Sequence, residues 1–119
     1  MKIAVTSQGT DLDAQVDPRF GRAAYILVVD SETFSFEVLD NKENANALKG
    51  AGIQAGTMLN DKGAEVLLTG FCGPNAFKVL KTANIGVAND ASGSIREAVT
   101  AYIAGNLPLA EEANVEGQW

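Results

Sequence analysis

Glu65-Val66-Leu67-Leu68-Thr69-Gly70-Phe71-Cys72-Gly73-Pro74-Asn75-Ala76-Phe77 decides the fold class of this 119-residue chain. Glu65 to Thr69 is a short apolar run of strand length, and Gly70 and Gly73 break it. Pro74 stands where a helix opens, because the first turn loses nothing by a missing N–H. Ala76, Phe77, Leu80 and Ala83 then recur at helical spacing. A second strand signal, Ile85-Gly86-Val87-Ala88, follows directly. Strand, helix and strand in this order make a right-handed crossover between parallel strands.

The pattern continues on both sides. Downstream, Ser94 and Glu97 form a capping box ahead of Ile95, Ala98, Val99, Tyr102 and Ile103, and Gly105 ends that helix. From Leu107 the chain carries Pro108, Glu111, Glu112 and Glu116 without lysine or arginine, so residues 107–119 are expected to fray as an acidic tail. Upstream, Leu48, Ala51, Ala55, Met58 and Leu59 follow helical spacing, with Gly63 as the stop. Three strands precede them. Ile3 to Thr6 is short and branched; Ala24 to Val29 is continuously apolar and predicts a central strand buried on both faces. Phe34-Ser35-Phe36-Glu37-Val38 alternates, which predicts a strand with one buried face. The polar link Asp30-Ser31-Glu32-Thr33 makes the last two a hairpin. The expected architecture is one α/β domain over residues 1–106, with a mixed five-stranded sheet and three helices in the order β-β-β-α-β-α-β-α.

Composition narrows the function. Hydrophobic residues make up 46% and charged residues 20%, the balance of a globular chain able to bury a core. There is no histidine and a single cysteine, Cys72. Ser/His and Cys/His catalytic pairs, histidine-ligated zinc and an internal disulfide are therefore excluded. Nine basic residues face fifteen acidic ones for a net charge of −6. Both halves share the excess, so no basic stripe exists to follow a nucleic-acid backbone. The Met1–Thr6 start is too short an apolar run for a signal peptide, and no stretch approaches the ~20 apolar residues of a membrane span. A soluble cytoplasmic protein is expected.

Four segments could carry chemistry. Ser7 to Arg22 is long for an irregular stretch, and such loops are functional or disordered. Its end, Asp17-Pro18-Arg19-Phe20-Gly21-Arg22, offers two fork-shaped guanidinium donors beside a glycine that lets a ligand approach the backbone. The plain alternative is a turn whose arginines are solvated or paired with Asp11, Asp13 or Asp17. Gly70 to Asn75 lies beyond the carboxyl end of a parallel strand, where open α/β sheets bind ligands, and precedes a helix start that favours anions. That field lowers the expected thiol pKa of Cys72 and makes it a metal ligand or nucleophile; the alternative is a small buried side chain. In Lys49-Gly50-Ala51-Gly52-Ile53-Gln54-Ala55-Gly56 the glycine spacing is not that of a dinucleotide fingerprint, but Gly50 and Gly52 present bare N–H groups at a helix start. Asn89 to Ser94 is explained by its cap and has at most a place on the rim.

Taken together, Asp17-Pro18-Arg19-Phe20-Gly21-Arg22-Ala23 before a long strand, Gly70 through Asn75-Ala76, and Ile85-Gly86-Val87 as last strand resemble the dinitrogenase iron–molybdenum cofactor biosynthesis family. That family includes NifX, NifY, the C-terminal domain of NifB and stand-alone orange proteins, and the resemblance spans about residues 1–106. It implies a ribonuclease-H-like fold and a role in holding or transferring a metal–sulfur cluster, of molybdenum–copper sulfide or iron–molybdenum type, between protein donors and acceptors. Strand one lacks the acidic residue of a two-metal nuclease. Many family members carry a histidine near the first helix, where this chain has Asn44-Ala45-Asn46 and Leu48-Lys49-Gly50. Binding then rests on Arg19, Phe20, Gly21, Arg22, Gly50, Gly52, Cys72, Gly73 and Asn75, with Lys49 nearby and Cys72 as the one candidate metal ligand. A lone cysteine cannot ligate an ordinary iron–sulfur cluster, which needs about four thiolates, so the cluster must arrive assembled. The alternatives are a protein–protein interaction module and a thiol-dependent enzyme using Cys72.

Overall fold

The computed structural model describes residues 1–46 and 50–111. The elements are β1 (Lys2–Ser7), β2 (Tyr25–Asp30), β3 (Phe36–Asp40), α1 (Lys42–Ala45), α2 (Ala51–Asp61), β4 (Val66–Leu68), α3 (Pro74–Thr82), β5 (Gly86–Ala88) and α4 (Ile95–Ile103). The strands form one sheet in the order β3-β2-β1-β4-β5. β2 runs antiparallel to both β1 and β3, with Ala4 opposite Val28 and Leu27 opposite Val38. β4 runs parallel to β1 and β5, with Ala4 opposite Leu67 and Leu67 opposite Val87. This meander joined to parallel strands is the ribonuclease-H-like arrangement that the resemblance implies.

Helices cover both faces. Ala55 and Leu59 of α2 and Phe77 and Leu80 of α3 pack with Ala4, Ile26, Val28, Leu39 and Leu67. Ile95, Ala98 and Val99 of α4, joined by Leu12 and Val16, pack with Ile3, Val5, Leu27, Val29 and Leu68. Ile26 to Val29 is therefore buried on both faces, as its unbroken apolar run requires.

Four local expectations are corrected. A fourth helix, α1, stands between β3 and α2, too short at four residues to leave a periodic signal. In β3 the buried face is the other one: Phe36 and Val38 are 40% and 37% exposed while Leu39 is 6% exposed. β3 is the sheet edge, where the α2–α3 layer reaches Leu39 and the opposite side lies open. Phe34 is not a strand residue but turns back at φ 59°. Finally, Leu107 to Glu111 make contacts with the domain that the acidic-tail reading does not include. Leu107 packs on the α4 cluster, the Ala110 N–H donates to the Val87 carbonyl at 2.6 Å, and the Lys81 ammonium donates to the Glu111 carbonyl at 3.2 Å. This strap covers the outer edge of β5. Glu112 and Glu116, like Leu48 and Lys49, lie outside the described residues.

Candidate functional site

β1, β4 and β5 end at the same edge of the sheet, where β1 continues to β2 on one side and is flanked by β4 on the other. That switch point leaves a crevice for ligands. The long segment after β1 is ordered there by its backbone. Ser7 bridges Val16, Gln15 bridges Ser94, and the Asp17 N–H donates to the Thr6 carbonyl at 2.9 Å. Beneath it the buried Thr6 hydroxyl donates to the Asp17 carbonyl at 2.6 Å and lies 2.9 Å from the Thr69 hydroxyl. Leu12 and Val16 seal the segment against α4.

The arginine-bearing turn is zipped to the loop after β4. The Phe71 N–H donates to the Pro18 carbonyl at 2.6 Å, and the Phe20 N–H donates to the Phe71 carbonyl at 3.1 Å. A Cβ at Gly70 would lie 2.7 Å from the Pro18 oxygen, so this approach requires glycine. Gly21, at φ +93°, meets the start of α2 closely enough that a Cβ would sit 2.9 Å from the Gly52 nitrogen. Residues 19–22, 50–52 and 70–75 are thereby brought together.

The individual side chains divide. Arg19 is 54% exposed, with Nε 3.7 Å from Asp17 Oδ1, while the Arg19 N–H donates to that same oxygen at 3.0 Å. Arg22 is half-buried and its Nη1 donates to the Ala45 carbonyl at 2.9 Å, holding the end of α1. The turn is thus partly self-structuring: Arg19 has the carboxylate partner of the plain alternative, and Arg22 donates to a backbone carbonyl. Phe20 is wholly buried in the α2–α3 core and shapes the turn from behind. Gly52 and Gly73 are buried and Asn75 is exposed. Asn41, also buried, donates through Nδ2 to the Gly21 and Ala23 carbonyls at 3.2 and 2.8 Å, a support that no motif announced.

Cys72 takes the second of its two readings, the small buried side chain. Its side chain is fully buried, its Sγ lies 3.8 Å from the Gly73 carbonyl, and burial pushes the thiol up to about 12. Desolvation of the thiolate outweighs the dipole of α3, because the sulfur points into the core with Phe20, Ala76 and Phe77. A protonated thiol at neutral pH is neither a strong nucleophile nor a ready metal ligand.

Among the described residues four helices start at this edge and differ in chemistry: α1 carries Glu43 in its single turn, and the three longer helices follow two patterns. α4 carries its capping box, with the Glu97 N–H donating to Ser94 Oγ at 3.1 Å and the Ser94 N–H to Glu97 Oε1 at 2.9 Å. α2 and α3 have glycine N-caps, no side-chain cap and no acidic residue in the first turn. No first-turn carboxylate offsets the dipole of either helix, and in α3 the donors of that turn begin at Asn75, because Pro74 has no N–H. Among the described residues no three His, Cys, Asp or Glu side chains gather as a metal-binding group. Such an edge suits an anion held by N–H and guanidinium donors, not a bare cation.

Comparison with known proteins places the chain in a family. Residues 1–105 match the family described as Dinitrogenase iron-molybdenum cofactor, and the chain belongs to it. The apo form of the orange protein from Desulfovibrio gigas superposes with a TM-score of 0.93 at 45% identity, covering 96% of each chain. A NifB-like protein from Thermotoga superposes at 0.83 with 35% identity over 98% of each chain. An uncharacterized protein of Methanocaldococcus jannaschii is 26% identical over 110 residues, 90% of this chain and 89% of its own. Family and neighbours support a cofactor-related binding or carrier role. Among the described residues no helix is long and apolar enough to cross a membrane.

Proposed function

We propose that this chain is a non-catalytic carrier for a preassembled anionic molybdenum-containing metal–sulfur cluster, of molybdenum–copper sulfide or iron–molybdenum precursor type. The observation that carries this reading is the pair of uncapped, acid-free helix starts of α2 and α3 at the edge spanned by Arg19 and Arg22. In this reading the guanidinium groups and the N–H groups of the Gly50–Gly52 and Gly73–Asn75 segments meet the sulfide face of the cargo. Gly21 and Phe20 hold the turn in place, and Cys72 stays in the wall as a packed thiol. The metals arrive already saturated by sulfide, so no protein ligand set is required. A carrier of this kind works in the cytoplasm between a donor and an acceptor protein. The open apolar side of β3, with Phe36 and Val38, is a surface on which such a protein can dock.

The test is titration of the purified protein with tetrathiomolybdate under anaerobic conditions, with and without copper. A saturable change in visible absorbance at a single cluster per chain, with a raised unfolding temperature, is the expected result. No absorbance change and no protection from unfolding would refute the carrier reading.

A further inference from the structure

Phe71 stands apart from its neighbours. Gly70, Cys72 and Gly73 are buried, yet Phe71 is 40% exposed. Its exposure is enforced: the N–H and carbonyl are both taken by Pro18 and Phe20, and Gly70 is pressed on the Pro18 oxygen. The backbone therefore fixes the ring outward. Arg19 and Phe71 are partners in a parallel bridge, and bridge partners project to the same side of the ladder, with strands about 5 Å apart. An exposed aromatic ring and an exposed guanidinium thus stand side by side at the sheet edge.

The charge beside the ring has a carboxylate neighbour. Asp17 lies 3.7 Å from Arg19 Nε and shares its charge, and the chain carries a net charge of −6. A small, strongly hydrated oxyanion needs a strong local positive field to give up its water. A large, polarisable, weakly hydrated anion instead gains from contact with apolar surface and from the weakly hydrated guanidinium. We infer that the Arg19–Phe71 pair is the selectivity element of the edge, favouring sulfide-rich anions over oxyanions of the same charge. This rests on the carrier reading and specifies what the same site rejects.

The experiment measures binding of tetrathiomolybdate and molybdate by equilibrium dialysis, for wild type, Phe71→Ala, Phe71→Leu and Arg19→Ala. Wild type is expected to prefer the thioanion. Phe71→Ala should weaken thioanion binding about tenfold, the worth of the ring surface left open, and leave molybdate binding and the unfolding midpoint unchanged. Phe71→Leu should recover most of the loss, and Arg19→Ala should weaken both anions. Thioanion binding that survives Phe71→Ala, or an equal loss for both anions, overturns this inference and leaves the carrier reading standing. A wild type that binds no thioanion overturns both.

Discussion

Replacing Gly21 by alanine tests whether the edge is built as described. Two costs add at this position. At φ +93° an alanine adopts a left-handed conformation, which costs about 1–2 kcal/mol. Its Cβ would also sit 2.9 Å from the Gly52 nitrogen and 3.0 Å from Gly52 Cα, both backbone atoms that cannot rotate away. Overpacking of that kind costs about 1–3 kcal/mol. Gly50 separates the terms: at φ +81° it has the same conformational demand, but a Cβ there meets nothing within 4 Å. Gly50→Ala is expected to lose about 1–2 kcal/mol and Gly21→Ala about 2–5 kcal/mol. The assay is urea unfolding followed by circular dichroism, with tetrathiomolybdate affinity measured on each folded variant. Gly21→Ala should also weaken cargo binding, because it pushes α2 off the arginine turn, whereas Gly50→Ala should do so less. If Gly21→Ala proves no more destabilising than Gly50→Ala, the close approach of the turn to α2 is wrong.

Arg19→Ala should leave the apo-protein within about 1 kcal/mol of wild type, since its ion pair is exposed, while weakening anion binding. Arg22→Ala should cost about 0.5–1.5 kcal/mol in the same unfolding assay through the lost bond to the Ala45 carbonyl, and more than Arg19→Ala. Cys72→Ser should retain the cluster and its visible spectrum but destabilise the apo-protein by about 1–3 kcal/mol, because the core offers a hydroxyl little compensation; loss of colour with an intact fold would make the sulfur a ligand. The thiol also predicts a pH dependence. Its folded pKa is raised from 9.0 to about 12, so its contribution to stability is intact below 9.0 and is lost as pH rises towards 12. Unfolding measured near pH 10.5 should therefore penalise wild type relative to Cys72→Ala by up to about 2 kcal/mol more than near pH 8, and equal differences at the two pH values would contradict the burial.

Much of the fold is legible in the chain because it follows from continuous signals. The unbroken run at Ile26 to Val29 requires cover on both faces, and Ser94 with Glu97 announces a cap that forms as expected. What escapes is set by neighbours distant in sequence. Phe36 and Val38 alternate as a buried face does, but the helix that would cover them packs over β1 instead. Arg22 carries the motif of an oxyanion donor, yet also anchors a helix too short to be foreseen. For Cys72 the sequence offers both the helix dipole and burial, and the choice between them belongs to the packing of Phe20 and Phe77 around it. Phe71 had a faint signal: an aromatic between residues small enough to tuck inward.

The buried cysteine bears on how a carrier could work at all. A thiolate bond to the cluster would have to be broken at every delivery, and the departing thiolate would have to find a proton. Cys72 avoids that problem by being a poor ligand: its burial holds the proton on sulfur far above neutral pH. A cargo held by Arg19, Arg22 and helix N–H groups leaves by exchanging those donors for water, with no covalent bond broken. Each donor contributes modestly, ~1.5–3 kcal/mol for a charge-assisted bond, so several together hold a cluster while an acceptor can still remove it one contact at a time. The overall charge of −6 acts in the same direction, repelling the anion once it has left the edge. Under the proposed carrier reading, retention is a local property of two helix starts and a turn, and release is favoured by the rest of the molecule.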